Sequence, residues 1–366
     1  MQKIILVPDS FPGALSAAGA CDVLGEVFAR FFPEAELLRL PLGGVDTLRA
    51  GGELRIARVQ GPGGEELRAR YTVLPDRRTA VLDAAVCTGV EAARAAGQLR
   101  PGRATSYGVG QMILDALQTG CREILLCLGP SAVMDGGAGC AAALGVRFLD
   151  ASGRSFVPVG DTLSSIAHID LLGRAPVLAG ARLRVLAGSQ APLCGAGGAV
   201  SALGLPAADA ARLDEGLAHL AAVTESDLGV AVANRPGAGA SGGLGAGAAA
   251  FLGGELCPGV EPLLDLAGFD GMLAGAGLVV TSAGRLDAAS ALGCPAVSVA
   301  QRAQRAGVPV LAFGGVVADG AAELYGLGVT AMQAVNRGGL PAASAAPRAA
   351  ADLRRAAEDA CRMMLL

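Results

Sequence analysis

Short aliphatic runs alternate along this chain with longer stretches in which alanine and leucine return at helical spacing. The first run, Ile4–Val7, predicts a strand covered on both faces, because four consecutive aliphatic residues leave no polar side for water. A turn follows, then a helix from about Ser16 to Phe32 with Ser16 placed to cap its first turn. Further strands are predicted at Leu37–Leu40, Ala80–Leu82, Glu123–Leu128, Leu183–Ala187, Leu278–Thr281 and Val308–Ala312. Val59–Val73 reads as a strand pair about the turn Gly61-Pro62-Gly63-Gly64. Helices are predicted over Gln111–Gln118, Gly136–Leu144, Ala296–Ala306 and Pro347–Met364, the last with its charges on one face. Strand and helix in alternation give the rhythm of an α/β fold. Composition shifts softly near 75–80 and 285–290, which predicts a discontinuous domain of 1–78 plus 288–366 around a second domain of 79–287. Two glycine-rich segments that each lead into a helix, 129–145 and 237–252, look alike.

Composition narrows the function. At 366 residues with 52% hydrophobic and 17% charged content, the chain can bury more than one core and is not disordered. Its arginines are scattered, its net charge is −4 and it has no tryptophan, so no footprint for nucleic acid is present. Of the 29 basic residues only Lys3 is a lysine, which excludes a Walker A loop and Schiff-base chemistry. Nine cysteines without a C-x-x-C, beside only His168 and His219, read as reduced core thiols and not as a zinc site. The apolar N-terminal run meets Asp9 too soon for a secretion signal, and the uncharged stretches Val185–Ala208 and Pro236–Gly254 are broken by glycine and proline. The expectation is a soluble cytoplasmic protein acting on a small molecule, with no nucleic-acid or membrane partner.

Two motif matches fail on context. Gly237-Ala-Gly239-Ala-Ser-Gly242 fits G-x-G-x-x-G, yet a turn stands where the next strand and its acid should follow. Gly239-Ala-Ser241-Gly-Gly243 fits G-x-S-x-G, but both histidines precede the serine. Three glycine-rich loops entering helices remain: Gly129–Gly137, Gly237–Gly247 and Thr281–Asp287. Such loops let a phosphate approach backbone amides at a positive helix end. Asp135 and Asp287 lie in two of them, and Asp9-Ser10 follows the first strand, where open α/β sheets place ligands. Acids beside phosphate-cradling loops suggest Mg²⁺–nucleotide chemistry.

These segments resemble the bacterial glycerate kinase family. Pro8-Asp9-Ser10-Phe11 with Gly13-Ala-Leu15-Ser16-Ala17 is similar to its opening P-D-S-F-K-G-S-L-S-A. Thr105-Ser106-Tyr107-Gly108-Val-Gly110-Gln111 resembles T-x-S-x-G-T-G-E/Q, and Ser131-Ala132 with Asp135-Gly136-Gly137-Ala138-Gly139 resembles G-G-S-A-T-N-D-G-G-x-G. Gly237–Gly245 is similar to G-A-A-G-G-x-G, and Gly284-Arg285-Leu286-Asp287 to the end of T-G-E-G-R-x-D. The resemblance implies a two-domain α/β architecture, a flavodoxin-like three-layer domain plus a second α/β domain around an intervening cleft. It implies phosphorylation of D-glycerate by ATP with Mg²⁺. In that reading Asp135 and Asp287 hold Mg²⁺ or the substrate hydroxyl, Asp9 polarises the acceptor or binds metal, and Arg285 meets the substrate carboxylate or a phosphate. Ser10, Ser106, Gly108, Ser131, Gly136, Gly137, Gly239, Gly242, Gly243 and Gly284 then line the cofactor site.

The chain also departs from the family pattern. The opening lysine is Pro12, the lysine of a later G-K-x-P is Cys294, and the glutamate of T-G-E-G is Ala283. D-G-G-E-G-T is shortened to Gly43-Gly44-Val45-Asp46-Thr47, and C-D-V-x-N-P-L reads Ala187-Gly-Ser-Gln-Ala-Pro-Leu193. Loss of charges aimed at a phosphoryl group weakens catalysis, which is mostly positioning and charge stabilisation. Two expectations follow: a kinase for glycerate or a related small hydroxy acid with a rebuilt site, or an inactive pseudokinase that keeps the fold for binding or regulation.

Overall fold

A computed structural model describes residues 2–42, 52–89, 92–93, 100–336 and 338–366. In chain order the strands are β1 (Lys3–Pro8), β2 (Glu36–Arg39), β3 (Glu53–Gln60), β4 (Glu66–Val73), β5 (Thr79–Asp83), β6 (Glu123–Leu128), β7 (Arg147–Leu149), β8 (Ser155–Phe156), β9 (His168–Asp170), β10 (Arg182–Ala187), β11 (Glu255–Pro258), β12 (Leu278–Leu286), β13 (Val310–Val317) and β14 (Ala331–Ala334). The helices that matter below are α1 (Ala17–Phe31), α2 (Tyr107–Gln118), α3 (Ala138–Ala143), α4 (Ala207–Leu228), α5 (Ala240–Leu252), α6 (Pro295–Arg305) and α7 (Ala349–Met364). The chain divides into two compact units, Met1–Leu48 with Gly259–Leu366, and Arg49–Pro258.

The first unit holds a five-stranded sheet in the order β14-β13-β12-β1-β2, with every neighbouring pair parallel. Numbered by appearance within the unit, that order is 2-1-3-4-5, the flavodoxin-like arrangement. Residues of β1 alternate between two cores, as a doubly covered strand must. Ile4 and Leu6 pack with Leu24 and Phe28 of α1 and Leu353 and Ala357 of α7. Ile5 and Val7 pack with Val297 and Ala300 of α6 and with Leu264 and Phe269. Helices therefore cover both faces and the unit has three layers. Ser16 caps α1 as its position predicts, its Oγ accepting from the Gly19 N–H at 3.1 Å.

The second unit holds a six-stranded sheet in the order β11-β10-β6-β5-β4-β3. β5, β6, β10 and β11 are parallel, whereas β3 and β4 form an antiparallel hairpin added to β5. One core joins Leu82, Leu126 and Val185 of the sheet to Met112 and Ile113 of α2 and Leu244 and Phe251 of α5. A small antiparallel sheet, β8-β7-β9, flanks it.

The unit boundaries differ from those that composition suggests. The shift near 75–80 is the tight turn joining β4 to β5, where Asp76 Oδ1 accepts from the N–H groups of Arg78 and Thr79, both at 2.9 Å. A residue bonding its own neighbours marks a turn as readily as a linker. The shift near 285–290 is the end of β12, a central strand of the first unit. All nine cysteines are free thiols. Among the described residues no helix is long and apolar enough to cross a membrane.

Candidate functional site

The first unit brings Asp9, Ser10, Gly284, Arg285 and Asp287 to the carboxyl ends of β1 and β12. Those strands flank the point where the sheet order reverses, the position at which open parallel sheets bind ligands. Asp9 is held by its backbone: its N–H donates to the Ser282 carbonyl at 3.3 Å, and Ser282 Oγ donates to the Asp9 carbonyl at 2.7 Å. Its Oδ1 accepts from the Ser10 N–H at 2.6 Å and from Ser10 Oγ at 3.4 Å. Burial raises this carboxyl from its ordinary 3.8 to about 6, against the lowering pull of the two Ser10 bonds. Asp287 caps the short turn Ala288–Leu292, accepting from the Ser290 N–H at 3.1 Å while Ser290 Oγ accepts from the Asp287 N–H at 3.1 Å. Arg285 Nε donates to Asp287 Oδ2 at 2.6 Å. Burial works to raise the Asp287 carboxyl, but the bonds from Arg285 and Ser290 together hold it below its usual value. The Arg285 side chain remains 60% exposed, which leaves the far side of its guanidinium to solvent or a ligand. Gly284 lies against Pro12: a Cβ there would stand 2.5 Å from Pro12 Cδ.

In the second unit Asp135 is the centre of a clamp. The side chain is buried, and Oδ2 accepts from the N–H groups of Ser106 at 2.7 Å and Gly139 at 3.2 Å. Its Oδ1 accepts from the Gly137 N–H at 3.0 Å, and Ser106 Oγ donates at 2.9–3.0 Å. That hydroxyl also accepts from the Cys140 N–H at 2.9 Å, so Asp135 and Ser106 together tie the start of α2 to the start of α3. Burial raises the Asp135 carboxyl despite these donors. Ser131 is buried and turned inward, its Oγ accepting from the Val133 N–H at 3.0 Å.

The glycines expected to cradle phosphate mostly cradle other backbone. The loops 129–137 and 237–247 pack on each other, the Gly136 N–H donating to the Gly242 carbonyl at 3.1 Å. A Cβ on Gly242 would stand 1.7 Å from the Val133 carbonyl oxygen, and one on Gly243 would stand 2.7 Å from the Gly136 Cα. Gly137 abuts Gly247, Gly239 abuts the Pro192 carbonyl, and Gly108 abuts the Gln60 carbonyl. Gly242 also has φ +68°. Gly242→Ala is therefore expected to lower unfolding free energy by roughly 2–4 kcal/mol, seen as a lower denaturant midpoint with unchanged slope.

One polar atom in this loop is left without a partner. Ser241 adopts φ 54°, ψ 46°, a left-handed conformation that costs a serine about 1–2 kcal/mol, and its buried Oγ makes no hydrogen bond. Strain and an unsatisfied hydroxyl at one residue fit a group that awaits a ligand oxygen. The magnesium expectation meets a different donor set. Asp135 already accepts from four protein donor groups, and Asp287 is bonded to Arg285 and Ser290. Among the described residues no three His, Cys, Asp or Glu side chains converge as a metal site. Asp135 is engaged by its own loops, and Asp287 by Arg285 and Ser290. Gly43–Thr47 lies outside the described residues.

The profile of the glycerate kinase family matches residues 4–365. The chain belongs to the glycerate kinase family. It is 36% identical over 343 residues to a glycerate kinase of Halalkalibacterium halodurans, covering 90% of each protein. It is 34% identical over 345 residues to the glycerate 2-kinase of Escherichia coli K12, covering 91% of this chain and 90% of that one. A solved structure from Salmonella typhimurium LT2, assigned by name to glycerate kinase 2, matches with TM-score 0.75 at 31% identity, over 100% of this chain and 98% of the other.

Against the family pattern, one replaced lysine position, Cys294, lies within the electrostatic reach of Asp9 and Asp287, and the other, Pro12, packs against Gly284. Cys294 starts α6, and its thiol is pushed up to about 11, chiefly by burial, with the carboxylates of Asp9 and Asp287 adding to the rise. Both acids therefore act electrostatically on position 294, and burial is the main influence on the Asp9 carboxyl. Two features escape sequence reasoning. The strain at Ser241 was signalled only by a serine where the family motif has alanine, and the Cys294–Asp9 approach spans 285 residues of chain.

Proposed function

We propose that the chain phosphorylates D-glycerate, with MgATP as the phosphoryl donor. The observation that carries the reading is Asp9, a partly buried carboxyl near pKa 6 at the switch point of a parallel sheet, with Arg285 on the adjoining strand. The ionised Asp9 Oδ2 takes the proton of the acceptor hydroxyl as its oxygen forms a bond to the γ-phosphorus. The bond from that phosphorus to the β,γ-bridging oxygen breaks, giving phosphoglycerate and ADP. Arg285, fixed through Nε by Asp287, offers its outer nitrogens to the glycerate carboxylate. Magnesium belongs to the nucleotide as substrate, keeping several of its waters and neutralising phosphate charge.

The assay is ADP release from purified protein with D-glycerate and MgATP. ADP formation that depends on glycerate supports the reading. Nucleotide binding without any turnover favours the second one, a pseudokinase, which rests on Pro12 and Cys294 standing in place of lysines. Cys294→Lys supplies a further check. A cation facing Asp9 favours its charged form, so the acidic limb of kcat/KM is expected to move down from about pH 6 by roughly one unit.

A further inference from the structure

Where the family pattern carries its opening lysine, this chain builds a tight turn. The Ala14 N–H donates to the Phe11 carbonyl at 2.9 Å, closing Phe11-Pro12-Gly13-Ala14. Gly13 has φ +70°, so the four residues form a type II turn. Proline stands second and glycine third, the places where a fixed negative φ and a positive φ are required. The ends of the turn are tied together. The Phe11 N–H donates to the Leu15 carbonyl at 2.8 Å, and the Leu15 N–H donates to the Phe11 carbonyl at 3.0 Å. Phe11 is buried in the core that Leu6 of β1, Leu24 of α1 and Phe313 of β13 share, and Ser16 caps α1 directly afterwards. The turn rests on two glycines in β12 and β13. A Cβ on Gly284 would stand 2.5 Å from Pro12 Cδ. One on Gly315 would stand 3.2 Å from Phe11 Cδ1 and 2.5 Å from the Gly284 carbonyl oxygen. Asp9 and Ser10 lead into this turn, and Arg285 follows Gly284 in β12. The Pro12 ring therefore joins the two segments that carry Asp9 and Arg285. A lysine at position 12 would bring a cation on a mobile stem, whereas proline removes backbone freedom at that point.

We propose that Pro12 is a positioning residue: its ring, seated on Gly284, fixes the Asp9 segment against Arg285 for reaction with the hydroxy acid. This role rests on the kinase reading; the rigidity of the turn does not. Exchange of lysine for proline then replaces a cation with preorganisation, which lowers the cost of aligning acceptor and carboxylate partner.

Two variants test it without changing charge, Pro12→Ala and Gly13→Ala. No atom lies within 4 Å of a Cβ built on Gly13, so the second acts through φ alone. Steady-state kinetics are measured on the full chain, with melting temperature as the folding control. Each variant is expected to lose about tenfold in kcat/KM for D-glycerate and to keep its KM for MgATP, with a melting temperature lower by no more than about 5 °C. Glycerate kinetics unchanged in both variants overturn the proposal and leave the kinase reading standing. Equal losses towards glycerate and MgATP also overturn it, because they mark a general loosening of the fold. If folded wild type never phosphorylates glycerate, the kinase reading falls and calorimetry with D-glycerate decides the role of the turn. Weaker binding in both variants then supports Pro12 as the residue that sets Asp9 against Arg285, and equal or absent binding in all three proteins overturns it.

Discussion

Asp9→Asn is expected to reduce kcat/KM for glycerate by about 10²–10⁴-fold, the usual worth of a positioned general base. KM for MgATP should stay near its wild-type value, because Asp9 meets the acceptor. In wild type, activity should fall below about pH 6 as Asp9 gains its proton, and the residual activity of the variant should lack that limb. Stability gives an independent check with a definite sign. Asp9 has a folded value of about 6 against an ordinary 3.8, so the folded protein binds the proton more tightly and loses stability as pH rises between those values. Asparagine carries no such penalty. The variant should therefore be more stable than wild type at pH 7–8, by about 1–2 kcal/mol after discounting for partial exposure. That advantage should vanish near pH 4. Equal stability of the two proteins at both pH values would contradict the buried, destabilised carboxylate.

Asp135→Ala is expected to cost roughly 4 kcal/mol or more, through stranded donors and not through a lost metal. The N–H groups of Ser106, Gly137 and Gly139 and the Ser106 hydroxyl all point at the removed carboxylate. Each buried donor left unpaired costs about 1–3 kcal/mol, with partial relief by water or relaxation. Asp135→Asn keeps one carbonyl acceptor and sets an NH₂ against the remaining donors, so an intermediate loss is expected. Chemical denaturation measures both, and magnesium should not change the difference between variant and wild type. A magnesium-dependent difference would restore Asp135 as a metal ligand.

The parallel strands were legible because burial on two faces writes them as unbroken aliphatic runs, Ile4–Val7 and Ile124–Leu126 among them. α4 was not, although Leu213, Leu217, Leu220 and Thr224 mark a buried stripe at helical spacing. Alanines and charges between them dilute the apolar signal. The unit boundary was misplaced because a turn closed by Asp76 has the same composition as a linker. At the site, motif spacing put Asp9, Arg285 and Asp287 at strand ends, and the fold gathers them there. Spacing could not tell a glycine that meets a phosphate from one that meets a carbonyl. Gly242 and Gly239 lie against protein backbone, a fact set by packing between segments about a hundred and about forty-five residues away in the chain. Nor could it show that Asp135 spends its charge on its own loops.

The most direct test of glycerate phosphorylation through Asp9 is the phosphorus NMR spectrum of the product formed from D-glycerate and MgATP, for wild type and Asp9→Asn side by side. The account predicts a phosphate-monoester resonance of phosphoglycerate growing with the ADP signals in wild type, and growing at least about a hundredfold more slowly in the variant. No phosphoglycerate from a folded, nucleotide-binding wild type would contradict it, and so would equal rates in the two proteins.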